Sequence, residues 1–111
     1  MKSFNQYIEI VNKAIAEVTL PASPAKLYEP ISYTMSFGGK RLRPILTLMT
    51  CDACGTECAK AVNQAIGIEY FHNFTLLHDD VMDNADVRRG KPTVHCHWDE
   101  NTAILSGDAM L

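Results

Sequence analysis

The sequence predicts an all-α fold of about five helices. Apolar residues recur at three- and four-residue steps, Gly and Pro separate the periodic stretches, and no stretch alternates with the period of two that marks a strand. Phe4, Tyr7, Ile8, Val11, Ile15 and Val18 form one face of a first amphipathic helix, which Pro21 stops. Ser23 and Pro24 read as a cap followed by proline at the first helical position, opening a second helix through Leu27, Ile31, Tyr33 and Met35. Pro30 bends that helix, and Gly38-Gly39 ends it. Pro44 opens a third helix through Leu46, Leu48 and Met49 to about Ala53, where Gly55 breaks the pattern. Residues 57–83 run as one long helix with Ala61, Ala65, Ile68, Phe71 and Leu76 facing inward, and Gly67 is tolerated inside it at some cost. Residues 84–93 are polar and contain Gly90 and Pro92, so they read as a loop. A last helix starts near His97 and still runs at Leu111. Its small-plus-apolar residues 103–111 suit close packing against further helices, so the chain reads as interrupted there rather than completed.

At 111 residues and 47% hydrophobic content, the chain suits a single globular domain. A net charge of −3 leaves no basic stripe, which excludes the electrostatic footprint of a nucleic-acid binder. The start, Met1 to Tyr7, lacks a signal-peptide pattern, and no window approaches eighteen consecutive apolar residues. The expectation is a cytoplasmic protein without a membrane span. Cys51, Cys54 and Cys58, followed by His95, Cys96 and His97, resemble zinc spacing on the surface. The first three lie at helical intervals in an apolar stretch, however, where free cysteine packs as a small hydrophobe, and disulfides are not expected without a secretory signal.

Chemistry concentrates in residues 72–89. On a helix, residues four apart share a face, so Asp79 and Asp83 present carboxylates in one direction while Asp80 flanks them. Like charges gathered in this way favour a cation, and magnesium prefers carboxylate oxygens together with phosphates and retained waters. The acids end an apolar helix carrying Phe71, Phe74, Leu76, Leu77 and Val81, so they stand at the mouth of an apolar wall. Arg88 and Arg89 follow across a short loop, and arginine contacts phosphate oxygens through a planar fork. Lys40, Arg41 and Arg43 sit on a turn after Gly38-Gly39 and before a helix N-terminus, where amide groups and the helix dipole also favour anions. His72 lies two turns before Asp79 on the same face. Each feature has a bland reading as an acidic helix end, a surface basic pair, a basic turn or a satisfied core histidine, but their coincidence points to magnesium-bound diphosphate.

These motifs carry a resemblance. The run of Leu77, His78, Asp79, Asp80, Val81, Met82 and Asp83, followed by Arg88-Arg89-Gly90-Lys91-Pro92-Thr93, resembles the first aspartate-rich motif of the trans-isoprenyl (polyprenyl) diphosphate synthases. Gly38-Gly39-Lys40-Arg41-Leu42-Arg43-Pro44 resembles their upstream isopentenyl-diphosphate motif, and the resemblance runs from about residue 25 to the end. It implies the N-terminal part of an isoprenoid-synthase-type helical bundle around a deep apolar cavity, usually as a homodimer. It further implies that Asp79 and Asp83 ligate magnesium with Asp80 beside them, that Arg88 contacts an allylic diphosphate, and that Lys40, Arg43, His72 and Arg89 hold isopentenyl diphosphate. The implied reaction is ionisation of the allylic diphosphate, attack by the isopentenyl double bond and loss of a proton, a route that needs charge stabilisation rather than a nucleophilic side chain.

Phe74 and Phe71 lie five and eight residues before Asp79, roughly 7 and 12 Å along the helix at about 1.5 Å per residue. Either could floor the cavity. An aromatic Phe74 beside a non-aromatic Thr75, with no insertion among the acids, resembles geranylgeranyl or farnesyl synthases, favouring the former. The family also uses a second aspartate-rich motif, which residues 1–111 lack, so the chain is expected to be the N-terminal portion of a polyprenyl synthetase domain and inactive alone. A small zinc module and a non-catalytic helical interaction fragment are the alternatives.

Overall fold

Six helices and one minimal hairpin make up the fold, and the computed structural model describes all residues, 1–111. The helices are α1 (Phe4–Ala16), α2 (Ala25–Met35), α3 (Leu42–Ala53), α4 (Val62–Met82), α5 (Val94–His97) and α6 (Glu100–Met110). A 3-10 turn (Cys58–Ala61) precedes α4, and the strands β1 (Val87–Arg88) and β2 (Lys91–Pro92) pair antiparallel between α4 and α5. Contacts divide the chain into two compact units, Met1–Val18 with Lys40–Glu69, and Thr19–Gly39 with Tyr70–Leu111.

In the first unit α1 packs on α3, and α3 on the 3-10 turn. Its core is Tyr7, Val11, Ile45, Leu48, Cys58 and Ala65, ringed by Ile8, Ile10, Ile15, Met49, Ala61 and Val62. Each fully buried aliphatic side chain contributes about 1.5–3 kcal/mol. Ser3 starts α1 through a capping box: its hydroxyl accepts from the Gln6 amide and the Gln6 side chain accepts from the Ser3 amide. The Tyr7 hydroxyl donates to Asp52 at 2.6 Å, and the same carboxylate accepts the Cys58 amide at 2.9 Å, tying α1, α3 and the 3-10 turn together.

In the second unit α2 and α5 both pack on α6. The Ser106 hydroxyl donates to the Leu27 carbonyl at 2.8 Å, which satisfies a fully buried polar group at that contact. Tyr33 packs against the rings of Phe37, His97 and Trp98, and its hydroxyl reaches the Pro92 carbonyl at 2.8 Å.

Several boundaries differ from those expected. The first helix ends at Ala16 rather than at Pro21, and Phe4 and Val18 are exposed, so the inward stripe narrows to Tyr7 and Val11. Val18 is 38% exposed and adds little burial that would hold a further turn, and Leu20, next to Pro21, favours extended backbone. Pro24, not Ser23, caps α2, from an extended conformation and without a side-chain bond. Arg41 caps α3, so Pro44 stands at its third residue, where its missing N–H costs nothing. The single helix expected over 57–83 is a 3-10 turn followed by α4, and the last helix is divided at Trp98, with Asp99 capping α6 through the Thr102 amide at 2.7 Å.

The loop at 84–93 contains a hairpin, because Arg89 and Gly90 both take positive φ (53° and 78°), the conformation that matches strand twist in a two-residue turn. Two-residue strands are too short to show alternation. On α4, Ala65 and Leu77 are buried, but Ile68 is 43% and Phe71 54% exposed; the buried row instead runs through Glu69, Asn73 and Asp80. Hydrophobic periodicity misplaces this face because some of its inward groups are polar. Of the cysteines, only Cys58 is buried; Cys51 is partly exposed with its thiol towards the Thr56 and Glu57 carbonyls, and Cys54 and Cys96 are exposed.

Candidate functional site

The acidic cluster stands at the C-terminal end of α4. Asp79 lies on the last turn, and Asp83 lies one residue beyond it, still wound into the helix through its amide bond to the Asp79 carbonyl at 2.8 Å. The helix then ends in a Schellman arrangement. The Asn84 amide bonds the Val81 carbonyl at 3.3 Å and the Ala85 amide bonds the Asp80 carbonyl at 3.0 Å, with Asn84 in the left-handed region at φ 51°. A helix C-terminus carries partial negative charge, so the fold adds to the field of the carboxylates and favours a cation there.

The three acids are not equivalent. Asp79 and Asp83 are exposed, whereas Asp80 is 5% exposed and its carboxylate is held by Arg88. Arg88 Nε donates to both carboxylate oxygens, at 3.0 and 2.8 Å, and its Nη2 donates to Oδ1 at 2.8 Å. This fork raises the guanidinium pKa above its ordinary value; burial opposes that rise, and the charges of Asp80, Asp79 and Asp83 add to it. Asp80, expected to flank the two ligands, is thus engaged by the arginine expected to contact diphosphate, and Arg88 is fixed beside Asp79 and Asp83 as a consequence.

The hairpin places Arg89 over the Gly38-Gly39 turn. Its Nη1 donates to the Gly38 carbonyl at 3.2 Å, and its Cζ lies 3.0 Å from where a β-carbon on Gly39 would stand. The two glycines, at φ 77° and 97°, supply both the left-handed backbone and the room for that crossing. Lys40 and Arg43 belong to the other unit, and both are exposed. Arg41, read from sequence as the third cation of this turn, is buried: it bonds Glu69 at 2.9 Å and Asn12 at 3.2 Å. No local signal in the sequence separates Arg41 from Lys40 and Arg43, because its partners lie 28 and 29 residues away.

His72 is partly buried on α4, and its carbonyl accepts the Thr75 hydroxyl at 2.6 Å, which fills that hydroxyl's donor capacity along the helix. The Phe74 ring meets His78 edge-on at 4.7 Å and Phe71 at 5.6 Å between centroids. His78, given no role from sequence, contacts the Ile104 carbonyl at 3.0 Å and Asp108 at 3.4 Å, and a β-carbon on Gly107 would fall 2.6 Å from its Nε2. The glycine within the small-residue stretch at 103–111 was the available signal that something crosses close to α6 there.

No set of three or more His, Cys, Asp and Glu side chains converges to hold a metal ion. A structural zinc site requires four such ligands in a tetrahedron, so Cys51, Cys54, Cys58, Cys96, His95 and His97 do not compose one. Magnesium makes a smaller demand, one or two carboxylates completed by water and phosphate, and the exposed pair Asp79 and Asp83 fits it. No helix is long and apolar enough to cross a membrane.

The helical fold and the acidic helix end flanked by a fixed arginine define a chain of the isoprenoid-synthase class, and known proteins agree. A family model described as Polyprenyl synthetase matches residues 24–111. A geranylgeranyl pyrophosphate synthase of Geoglobus acetivorans is 45% identical over 102 residues, covering 92% of this chain and 32% of that protein. A farnesyl diphosphate synthase of Micrococcus luteus is 43% identical over 107 residues, covering 95% of this chain and 36% of that protein. A crystal structure of a geranylgeranyl pyrophosphate synthase superposes with a TM-score of 0.88 at 50% identity, over 100% of this chain and 34% of that one. The chain belongs to the polyprenyl synthetase family, and it spans about a third of the length of these relatives.

Proposed function

We propose that residues 1–111 are the N-terminal portion of a polyprenyl synthetase domain, short of its second aspartate-rich motif. The whole protein is then a short-chain trans-isoprenyl diphosphate synthase of geranylgeranyl or farnesyl type. The observation that carries this reading is the exposed pair Asp79 and Asp83 at the negative end of α4 with Arg88 fixed alongside. Its substrates are isopentenyl diphosphate and an allylic diphosphate, in line with the names of the relatives.

Asp79 and Asp83 would hold magnesium, which when bound supplies neutralisation of the charge on the departing diphosphate. Asp80 keeps Arg88 in place. Arg88 then lends its cation to the allylic diphosphate, while Lys40, Arg43, His72 and Arg89 hold isopentenyl diphosphate through charge-assisted bonds to its oxygens. Phe74, steadied by His78 and backed by Phe71, sets the floor for the growing chain, and Thr75 adds no ring to it. The exposed faces around Ile68, Phe71, Ile104 and Leu105 support a homo-oligomer, since apolar surface of that kind is covered by association.

Magnesium-dependent binding of inorganic pyrophosphate to the 111-residue chain, followed by calorimetry, tests the site. Weak binding that vanishes on chelation is expected; binding indifferent to magnesium and to Asp79→Ala would overturn the assignment. Assay of prenyl products from isopentenyl and allylic diphosphates tests the rest. The chain alone should yield none, because a single acidic helix end grips one side of a diphosphate. In the whole protein, Phe74→Ala should lengthen the product, and an unchanged product distribution would mean that Phe74 is not the floor.

A further inference from the structure

Of the cations in the turn at 40–43, Lys40 and Arg43 face solvent and Arg41 does not. We propose that Arg41 is a positioning residue, whose buried ion pair with Glu69 holds this turn in the shape that presents Lys40 and Arg43 to a diphosphate. The proposal rests on the reading of those two cations given above.

The backbone of Arg41 sits in the left-handed region, at φ 52° and ψ 33°, a conformation that side-chain-bearing residues disfavour. Its carbonyl nevertheless begins α3 by accepting the Ile45 amide at 3.1 Å, and its side chain makes no capping bond to the helix. What holds it there is the guanidinium. Nη1 donates to Glu69 Oε2 at 2.9 Å and Nε donates to Asn12 Oδ1 at 3.2 Å, so one fork joins the turn to α4 and α1. Both charged side chains are 3% exposed.

All of these residues lie within one compact unit. Stability alone does not call for this arrangement, since well-packed apolar residues replace a buried ion pair at little or no loss. Direction is what the pair adds: a rigid fork with fixed partners specifies one backbone rotation at Arg41, and that rotation sets where the neighbouring Lys40 and the first turn bearing Arg43 point.

The apolar pair variant Arg41→Met/Glu69→Met separates positioning from stability. In the 111-residue chain we expect its thermal transition to stay near the wild type. We also expect its affinity for isopentenyl diphosphate to fall about tenfold, the scale on which loss of groups that orient ligands acts. Hydrogen exchange at the Ile45 amide should quicken relative to amides in the middle of α3. Affinity and Ile45 exchange both unchanged would overturn the proposal. Should the double variant not fold, Arg41→Lys keeps the charge and removes the fork, and the same two measurements decide in the same way. A wild type that binds no isopentenyl diphosphate would sink the reading of Lys40 and Arg43 by itself. In that case Ile45 exchange in the variants alone decides whether Arg41 sets the turn.

Discussion

Arg88 closes on both oxygens of the Asp80 carboxylate, reaching back from β1 to the last turn of α4. One relationship thereby divides three neighbouring acids into a structural member and two exposed ones, and it sets a cation beside the exposed pair. Asp79→Asn and Asp83→Asn should keep the fold and weaken magnesium-dependent pyrophosphate binding by about tenfold each, as loss of a charged ligand does. Asp80→Ala should instead lower the unfolding free energy by about 1–3 kcal/mol, because it strands a partly buried guanidinium. Denaturant titration beside calorimetry distinguishes the two classes, and Asp80→Ala behaving as Asp79→Asn does would refute the division.

Two glycines in helices should respond to alanine with opposite signs. Gly67 on α4 is exposed with nothing within 4 Å of a new β-carbon, so Gly67→Ala should stabilise by about 0.8–1 kcal/mol through helix propensity. Gly107→Ala gains the same propensity, but its β-carbon meets the His78 ring at 2.6 and 2.7 Å. That ring is pinned between Phe74 and the Ile104 carbonyl, so overpacking of about 1–3 kcal/mol should prevail. Thermal unfolding of both variants checks the pair.

Asn84 ends α4 from the left-handed region and so shapes the backbone just after Asp83. Asn84→Gly should be tolerated, whereas Asn84→Val should cost about 1–2 kcal/mol, since a β-branched side chain crowds the following carbonyl there. Equal stability of the two variants in urea would show that the Schellman ending does not set this turn.

The bond between Tyr7 and Asp52 makes stability depend on pH at both ends. Tyr7 holds the Asp52 pKa below its ordinary 3.8, with the Cys58 amide helping and burial opposing. A depressed carboxylate contributes stability that is present above 3.8 and lost as the pH falls through the lower folded value. The same bond raises Tyr7 above its ordinary 10.0, a contribution complete below 10.0 and lost as the pH climbs through the raised value. Tyr7→Phe should therefore remain less stable than the wild type between these limits and converge on it in strong acid. A stability difference that stays constant into strong acid would contradict the coupling.

Local pattern alone determined the helical class, the acid triplet at the end of a long helix, the basic turn and the family, because helix periodicity, proline and glycine breaks and contiguous motifs are written within a few residues of one another. It also placed Asp79 and Asp83 on one exposed turn, since a spacing of four fixes that by helix geometry. Only the tertiary structure decided which charges do which work. Arg41 turns inward and Lys40 and Arg43 outward because Glu69 and Asn12, far along the chain, offer a buried fork its partners. Asp80 is withdrawn from the acid cluster because a hairpin too short to leave a strand pattern returns Arg88 to it. The inward face of α4 follows Glu69, Asn73 and Asp80 rather than Ile68 and Phe71 because a polar group that finds its partner can be buried, and whether a partner arrives is settled by packing between distant segments.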